Sequence, residues 1–249
     1  MEIMELVKPG SWIDSDDSQW SRNVERIISQ LESCFNEAFV SLLFFDREIA
    51  NVQGAFESRR EWLEDREERI QIQKSIEHEF DLSVFENHDK LSKKVESILN
   101  QKKLNEGKLP SYLQHSLPFI YAKSFLYSLD TIEKIINILP EEPEVQSRIS
   151  KIKMMMGEAF PDLIHVRDSS HHIEDRVLGK KRGKLIELQP IDDGGIKSEG
   201  GVLVISHLSG SSFGCTMGNG SYGKVDVTRE TLEVVRDIIQ KVIDSFKWK

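Results

Sequence analysis

The sequence predicts a mainly α-helical protein, in which a bundle of long helices precedes a small antiparallel β segment and a final helix. Eleven of the fifteen glycines lie between Gly179 and Gly223, and long helices tolerate few glycines. Before that segment, apolar residues recur three or four apart over long stretches, as they do on the buried face of a helix. We therefore expect a helical bundle domain over residues 1–183 and a β-and-helix segment over residues 184–249 packed on it.

The first half of the chain predicts one strongly amphipathic helix followed by two weaker ones. A cluster of Asp and Ser at 14–18 offers N-caps, and an apolar stripe then runs from Trp20 to Ile49. Residues 56–78 carry few apolar side chains among dense mixed charge, which favours a solvated helix with ion pairs between residues four apart. A weaker helix is expected over about 90–104.

Two further apolar patterns predict the remaining helices of the bundle. One runs from Leu113 to Leu139, and Pro118 within it should kink the helix or mark its true start. The other runs from Val145 to Val177, where Pro161 indicates a kink or a restart with proline at the first helical position.

Beyond Gly183, short apolar runs replace the helical spacing and predict a small antiparallel sheet or a pair of hairpins. The runs cover residues 185–188, 202–206, 213–217 and 224–227, and Gly-rich turns separate them. The stretch 218–223 resembles a phosphate loop superficially, but it lacks a Gly-Lys-Ser/Thr ending and leads into a strand, which favours a turn. Thr228 is expected to cap the final helix.

Composition and charge restrict the class of protein. The 249 residues suffice for one large domain or for a domain with an appendage, and their net charge is −9 at pH 7. An acidic chain argues against an architectural nucleic-acid binder, because such proteins neutralise phosphates with basic surfaces. It does not exclude an enzyme that gathers a few cations in one cleft. Two unclustered cysteines, an acidic N-terminus and short apolar runs indicate a cytoplasmic protein with no membrane segment.

The chemically useful side chains concentrate in residues 165–176. In a helix, residues four apart share a face, so Arg167 is expected beside His171 and Asp168 beside His172. Histidine titrates near neutrality and moves protons, arginine clamps a phosphate, and Asp168 could orient His172. No nucleophilic cysteine or Gly-x-Ser-x-Gly elbow accompanies them, which favours phosphate chemistry that uses the substrate's own hydroxyl.

Two other interpretations of this cluster stay open. Its charged side chains could form an ion-pair network at a helix edge, without chemistry. A metal site made by Asp168 and the three histidines is the weaker alternative, because His165 and His172 lie about two turns apart and no His-Glu-x-x-His pair is present. We therefore expect no metal and no cofactor.

A run of cations follows the cluster directly. Residues 176–184 contain five cations and no anion, namely Arg176, Lys180, Lys181, Arg182 and Lys184. In an otherwise acidic protein, this segment could guide RNA into the site. Ordinary charge complementation at the C-terminus of a helix is the alternative.

Arg167 and Asp168, followed by three residues and His172, resemble the signature of the HEPN superfamily. That signature is an arginine, a polar residue and a histidine four to six positions after the arginine, on a late helix of a helical bundle. The resemblance implies a four- or five-helix core, a homodimer that brings two Arg/His pairs together, and metal-independent cleavage of RNA. In that scheme the 2′-hydroxyl attacks the adjacent phosphate, His172 moves protons and Arg167 stabilises the phosphorane. His171 is the rival of His172 for the proton-transfer role.

Members of this superfamily often act in toxin–antitoxin or anti-phage defence systems, which implies an antitoxin or a defence protein as partner. The alternative function is a non-catalytic helical dimer or partner-binding protein of the same fold. The two functions differ in what they require of the motif. A ribonuclease needs Arg167 and His172 in a cleft, whereas the alternative places them in a closed ion-pair network.

Overall fold

The protein is described by a computed structural model over residues 3–53, 55–80, 88–140, 146–193 and 195–249. Most of these residues are helical, in α1 (Ser18–Gln53), α2 (Ala55–Phe80), α3 (His88–Asn105), α4 (Ser111–Gln114), α5 (Leu117–Asn137), α6 (Gln146–Ala159), α7 (Leu163–His171), α8 (Ile173–Val177) and α9 (Arg229–Ile243). Short strands within the same ranges are β1 (Lys180–Lys181), β2 (Lys184–Leu185), β3 (Ile191–Asp193), β4 (Ile196–Ser198), β5 (His207–Ser209), β6 (Ser212–Thr216) and β7 (Tyr222–Asp226). The mainly helical class, the small antiparallel sheets near the C-terminus and the final helix are thus confirmed.

The described chain forms two compact units, and one of them is made of two segments that are separated in the sequence by the other unit. One consists of Met1–Phe45 together with Phe119–Lys249, and the other of Asp46–Pro118. Residues 184–249, which the glycine distribution sets apart, belong to the first unit together with the helices that precede them. Within the described ranges, no helix combines the length and the apolar character needed to span a membrane.

The pairing of α1 with α5 builds the core of the first unit. The Ser41 hydroxyl donates to the Ser124 hydroxyl at 2.9 Å, and the ring of Phe44 stacks on Tyr121 with 5.3 Å between ring centres. Later residues of α1 therefore meet earlier residues of α5, so the two helices run antiparallel. Their fully buried side chains are Val24, Ile28, Leu31, Phe35, Ala38, Leu42 and Phe45 in α1, and Ala122, Phe125, Leu126, Leu129, Ile132 and Ile136 in α5. Burial of each large apolar side chain contributes about 1.5–3 kcal/mol, so these two stripes are an important source of stability.

Both helices begin where local chemistry favours a start. The Asp17 carboxylate accepts the backbone N–H groups of Gln19 and Trp20 at 2.9 and 3.0 Å, which satisfies two free donors of the first turn of α1. Pro118 is the second residue of α5, where its missing N–H breaks no helical hydrogen bond. Of the two outcomes predicted for Pro118, the structure shows the helix start.

The apolar pattern that predicts one long helix up to Val177 is divided into three helices, and Val145 itself lies outside the described residues. The chain leaves α6 at Ala159 and restarts at Leu163, because Pro161 cannot continue the hydrogen-bond ladder. A second break falls at His172, whose backbone (φ −97°, ψ 50°) is not helical. These breaks make α7 a short helix that carries most of the predicted motif.

The second unit contains a helical hairpin with a small core. One cluster of buried apolar residues consists of Ile76, Leu91 and Val95, with Ile72 packed against them, and Leu99 of α3 is also buried. The charges of α2 pair across to α3 at three places, between Arg69 and Glu96, between Lys102 and Glu68, and between Lys103 and Asp65. The prediction of ion pairs along α2 is met by Arg60 and Glu64, whereas the other three pairs hold the two helices together.

The three-stranded sheet β5-β6-β7 is antiparallel and packs one face on α7. Phe213, Cys215 and Val225 are buried on that face. The predicted strand at 202–206 is wrong, because β5 begins only at His207 and residue 204 joins the sheet through isolated bonds. Its carbonyl accepts from the Thr216 backbone at 2.7 Å, and its N–H donates to the Thr216 hydroxyl at 2.8 Å. The segment 218–221 is a turn, as predicted.

The final helix α9 begins at the predicted cap. The Thr228 hydroxyl accepts the backbone N–H of Thr231 at 3.3 Å. The buried side of α9 carries Leu232, Val235, Ile238, Ile239, Val242 and Ile243, and the helix packs on α6. The C-terminal helix therefore closes the same core to which α6 contributes.

Candidate functional site

Arg167 lies in a largely buried ion-pair network that joins α7 to α5. Its Nη2 is 2.8 Å from Oδ1 of Asp130, and its Nη1 is 2.7 Å from Oδ1 of Asp168. The side chain of Asp130 is 5% exposed and that of Arg167 16%, whereas Asp168 is 45% exposed. Lys134 lies 2.8 Å from the second oxygen of Asp130. Because buried charges need partners that replace their hydration, Asp130 holds the guanidinium from the protein interior and Asp168 holds it from the solvent side.

The guanidinium of Arg167 keeps one donor unused. Its Nε atom is buried and has no hydrogen-bond partner among the residues that the structure describes. A buried N–H without an acceptor costs about 1–3 kcal/mol. Oδ1 of Asp130 likewise has no hydrogen-bond partner among the described residues, so its contact with Nη2 is an ion pair without hydrogen-bond geometry.

Two more titratable groups of α5 face this network. Glu133 is buried, and burial raises the pKa of its carboxyl, an effect that Asp130 reinforces and Arg167 opposes. Burial also raises the pKa of the Tyr127 phenol. The positive charge of Arg167 lowers that pKa, and the negative charge of Asp130 raises it. Tyr127 therefore keeps its proton at neutral pH and can donate a hydrogen bond.

The motif residues pair differently from the pattern expected of a continuous helix. Asp168 binds Arg167, whereas the ring of His172 has its Nδ1 3.4 Å from the Glu174 carboxylate. The cause is the end of α7 at His171, after which the backbone of His172 leaves the helical conformation. The predicted orientation of His172 by Asp168 is thus not what the structure shows.

His171 and His172 form an exposed pair of imidazoles at the end of α7. Their ring centres are 5.3 Å apart with an interplanar angle of 72°. The side chain of His172 is 56% exposed, and His171 is exposed while its ring meets the ring of Tyr127 edge-on, 6.5 Å between centres. Two neighbouring imidazoles can serve as proton donor and proton acceptor for one substrate.

Arg176 has a structural position within the predicted RNA-binding set. It is 4% exposed, its Nε donates to the Ser169 hydroxyl at 3.2 Å, and its Nη1 donates to the Lys180 carbonyl at 2.6 Å. These bonds tie α8 to α7 and to the start of β1. Arg176 is therefore not available to a ligand in solvent.

The other four predicted cations lie on the β1–β2 hairpin. Lys181 pairs with Lys184 in the ladder, and both are exposed, as is Arg182 at the turn; Lys180 is half-buried. The turn is held by Asp175, whose carboxylate accepts the backbone N–H of Arg182 at 2.6 Å. The hairpin thus presents cations immediately after the helices that carry the motif.

A groove runs along the exposed side of α5. Its volume is about 460 Å³, and it is lined by Glu37, Ile120, Lys123, Ser124, Tyr127, Ser128 and Thr131. Tyr127 belongs both to this groove and to the surroundings of His171. Tyr127 therefore lies between this groove and the ring of His171.

Cys215 lies beneath α7 and is a packing residue. Its Sγ is 3.7 Å from the Val166 carbonyl, and burial raises the pKa of the thiol to about 11. Since the thiolate is the reactive form, this cysteine is not a nucleophile at neutral pH. Over the described residues, no group of three or more His, Cys, Asp and Glu side chains could hold a metal ion.

Comparisons with protein-family models, with curated proteins and with solved structures found no match to this chain.

Sequence reasoning about the motif missed its partners on α5. Asp130, Glu133 and Lys134 lie within the apolar pattern of that helix, and the first two are buried. Carboxylates on the buried stripe of a helix are the signal that could have found them, because an ionised group is rarely buried without a specific partner.

Proposed function

We propose that the protein is a HEPN-like, metal-independent endoribonuclease that acts as a homodimer. The observation that carries the proposal is the exposed His171–His172 pair, with ring centres 5.3 Å apart, at the end of the helix that holds Arg167. Two imidazoles can act as a base and an acid, and a guanidinium stabilises a pentacovalent phosphate.

In the proposed reaction, one histidine takes the proton of the ribose 2′-hydroxyl as its oxygen attacks phosphorus. The bond between phosphorus and the 5′-oxygen breaks, and the other histidine gives that oxygen a proton. The products are a 2′,3′-cyclic phosphate and a 5′-hydroxyl, and no external reactant is consumed. Arg167 would stabilise the charge on the phosphorane through its Nη1, which faces Asp168 on the solvent side.

Asp130 and Asp168 have different roles in this proposal. Asp130 positions Arg167 from the interior, and it stays bound throughout. Asp168, which is 45% exposed, would yield its place on Nη1 to a phosphate oxygen. The exposed cations Lys181, Arg182 and Lys184 would attract RNA toward the histidines by long-range electrostatics.

A test uses the purified protein and single-stranded RNA in the presence of EDTA. We expect products that end in 2′,3′-cyclic phosphate, and loss of cleavage in His171→Ala, His172→Ala and Arg167→Ala. His165→Ala is the matched control, since His165 is an exposed histidine on the same helix and has no role in the proposal. Cleavage that requires a metal ion, or that survives all three substitutions, would refute the proposal.

The biological setting that we propose is toxin–antitoxin or anti-phage defence, with an antitoxin or a defence protein as partner. This rests on the resemblance to the HEPN signature at Arg167, Asp168 and His172. Co-purification of the chain with the product of an adjacent gene, and relief of growth inhibition by that product, would support it. Expression that leaves growth unchanged would count against a toxin.

A second candidate function is a non-catalytic helical dimer or partner-binding protein. It is favoured by one observation: Arg167 is only 16% exposed, and both of its terminal nitrogens are held by carboxylates. This function predicts no cleavage of RNA. It also predicts that Arg167→Ala lowers stability by about 3–5 kcal/mol, because Asp130 would be left as a buried charge without that partner.

A further inference from the structure

The two ends of the groove on α5 carry different charges, and the antiparallel pairing of α1 and α5 determines which end is which. Ser41 bonds to Ser124, and Glu37 lies one helical turn before Ser41 on α1. Glu37 is therefore at the end of the groove towards Ser128, and Lys123 is towards the opposite end. Tyr127 lies on the Glu37 side, where its ring contacts His171.

The lining side chains are those that recognise a nucleotide in a single strand. Unpaired bases stack on aromatic rings such as that of Tyr127, and a lysine contacts the backbone phosphate. Glu37 is exposed and, when ionised, only accepts hydrogen bonds. A phosphate would be repelled there, so the carboxylate end of the groove suits the edge of a base and the Lys123 end suits a phosphate.

The carboxylate also selects among the four bases. The Watson–Crick edge of guanine presents two adjacent donors, N1–H and the N2 amino group, which match the two oxygens of a carboxylate. In cytosine and adenine the amino group stands beside a ring nitrogen that accepts, and in uracil the single N–H lies between two carbonyl oxygens. Those acceptors would face the negative charge of Glu37, so guanine is the base that fits.

We infer that this groove is a guanine-nucleotide subsite for the RNA strand. The base stacks on Tyr127 and donates to Glu37, and the phosphate on its far side binds Lys123. The contact of Tyr127 with His171 brings the bound strand beside the proposed catalytic histidines. The inference rests on the proposed ribonuclease function for this last placement. The subsite itself can be measured without cleavage.

The first experiment measures binding of guanosine 3′-monophosphate and adenosine 3′-monophosphate to the His171→Ala/His172→Ala variant by calorimetry. We expect the guanine nucleotide to bind about 5- to 100-fold more tightly, the discrimination that one bidentate contact gives to a base. Glu37→Gln should abolish the preference, because the amide replaces one acceptor by a donor. Tyr127→Leu should weaken both nucleotides and Tyr127→Phe neither, since the phenylalanine keeps the stacking surface.

Matched controls separate a local effect from a general loss of charge or of folding. Lys197→Gln removes an exposed lysine elsewhere and should leave nucleotide binding unchanged, whereas Lys123→Gln should weaken it. Far-UV circular dichroism of each variant, followed during heating, verifies the fold. Glu37 is exposed, so Glu37→Gln tests the inference even if Tyr127→Leu unfolds the protein.

The second experiment compares cleavage by the wild-type protein of four oligonucleotides that differ only in one base. Cleavage next to guanine is expected to be fastest, and Glu37→Gln should remove that advantage. Equal binding of the two nucleotides, or a preference unchanged in Glu37→Gln, would overturn the inference. If guanosine monophosphate binds as described but no RNA is cleaved, the subsite stands and the ribonuclease proposal falls. If RNA is cleaved with no preference for guanine, the ribonuclease proposal stands and the guanine subsite falls.

Discussion

Replacing Asp130 with asparagine removes one negative charge from the interior of the Arg167 network and leaves the side-chain volume nearly unchanged. Removal of one partner from a buried ion pair typically costs about 3–5 kcal/mol, because the other charge stays buried without compensation. Here Arg167 keeps Asp168 and is 16% exposed, which favours the lower end, about 3 kcal/mol. In a chain of this length that loss lowers the melting temperature by about 6–12 °C.

Urea denaturation followed by far-UV circular dichroism measures this change in the free energy of unfolding. The control is Lys134→Gln, because Lys134 is 59% exposed and its pair with Asp130 should contribute at most about 1 kcal/mol. Arg167→Met, alone and combined with Asp130→Asn, completes a double-mutant cycle. A cost below about 1 kcal/mol for Asp130→Asn, or no coupling in the cycle, would refute the argument that Asp130 holds the arginine.

Three further predictions concern the rest of the first unit. Gly220→Ala should destabilise the protein by more than about 2 kcal/mol, since its φ is +90° and a Cβ would lie 1.8 Å from the Glu187 carbonyl oxygen; Gly157→Ala, in open space on α6, should be neutral or stabilising in the same melting assay. The free energy of unfolding should fall between about pH 9 and pH 11, because the unfolded Cys215 ionises with a pKa near 9 and the folded one near 11; a Cys215→Ala variant that keeps the full slope would contradict this. Thr228→Ala should cost about 1 kcal/mol through loss of the cap on α9, and an unchanged urea midpoint would show that the cap is dispensable.

The parts of the fold that the sequence predicts are those determined by local interactions. The apolar stripe of α1, the proline at the start of α5 and the cap at Thr228 each depend on residues within a few positions of one another. The prediction of a strand at 202–206 was wrong because the conformation there depends on a contact with a distant residue. That run is apolar enough for a strand, but its backbone bonds are decided by Thr216, on a different strand.

The prediction of the candidate site has the same limit: contacts within a short stretch could be predicted, and contacts between distant residues could not. The sequence places Arg167, His171 and His172 together, because all three lie within one short stretch. It gives no means of pairing Arg167 with Asp130, which belongs to another helix. The break at His172 is also absent from the local pattern, since no glycine or proline occurs there, and it is this break that turns His172 away from Asp168.

The way in which the chain leaves and re-enters the first unit has a consequence for its assembly. It departs after Phe45 and returns at Phe119, yet the neighbouring Phe44 and Tyr121 are in ring contact. The whole of Asp46–Pro118, which includes α2, α3 and α4, is thus an insertion between the parts of α1 and α5 that contact each other. The closure entropy of a flexible loop grows only logarithmically with its length, so while the insertion is still unfolded it costs only about 2 kcal/mol more to close than a linker of about five residues. During synthesis, α1 has no partner until the insertion has been translated, and the histidines come later still. The core of the first unit can therefore form only after the insertion has been translated.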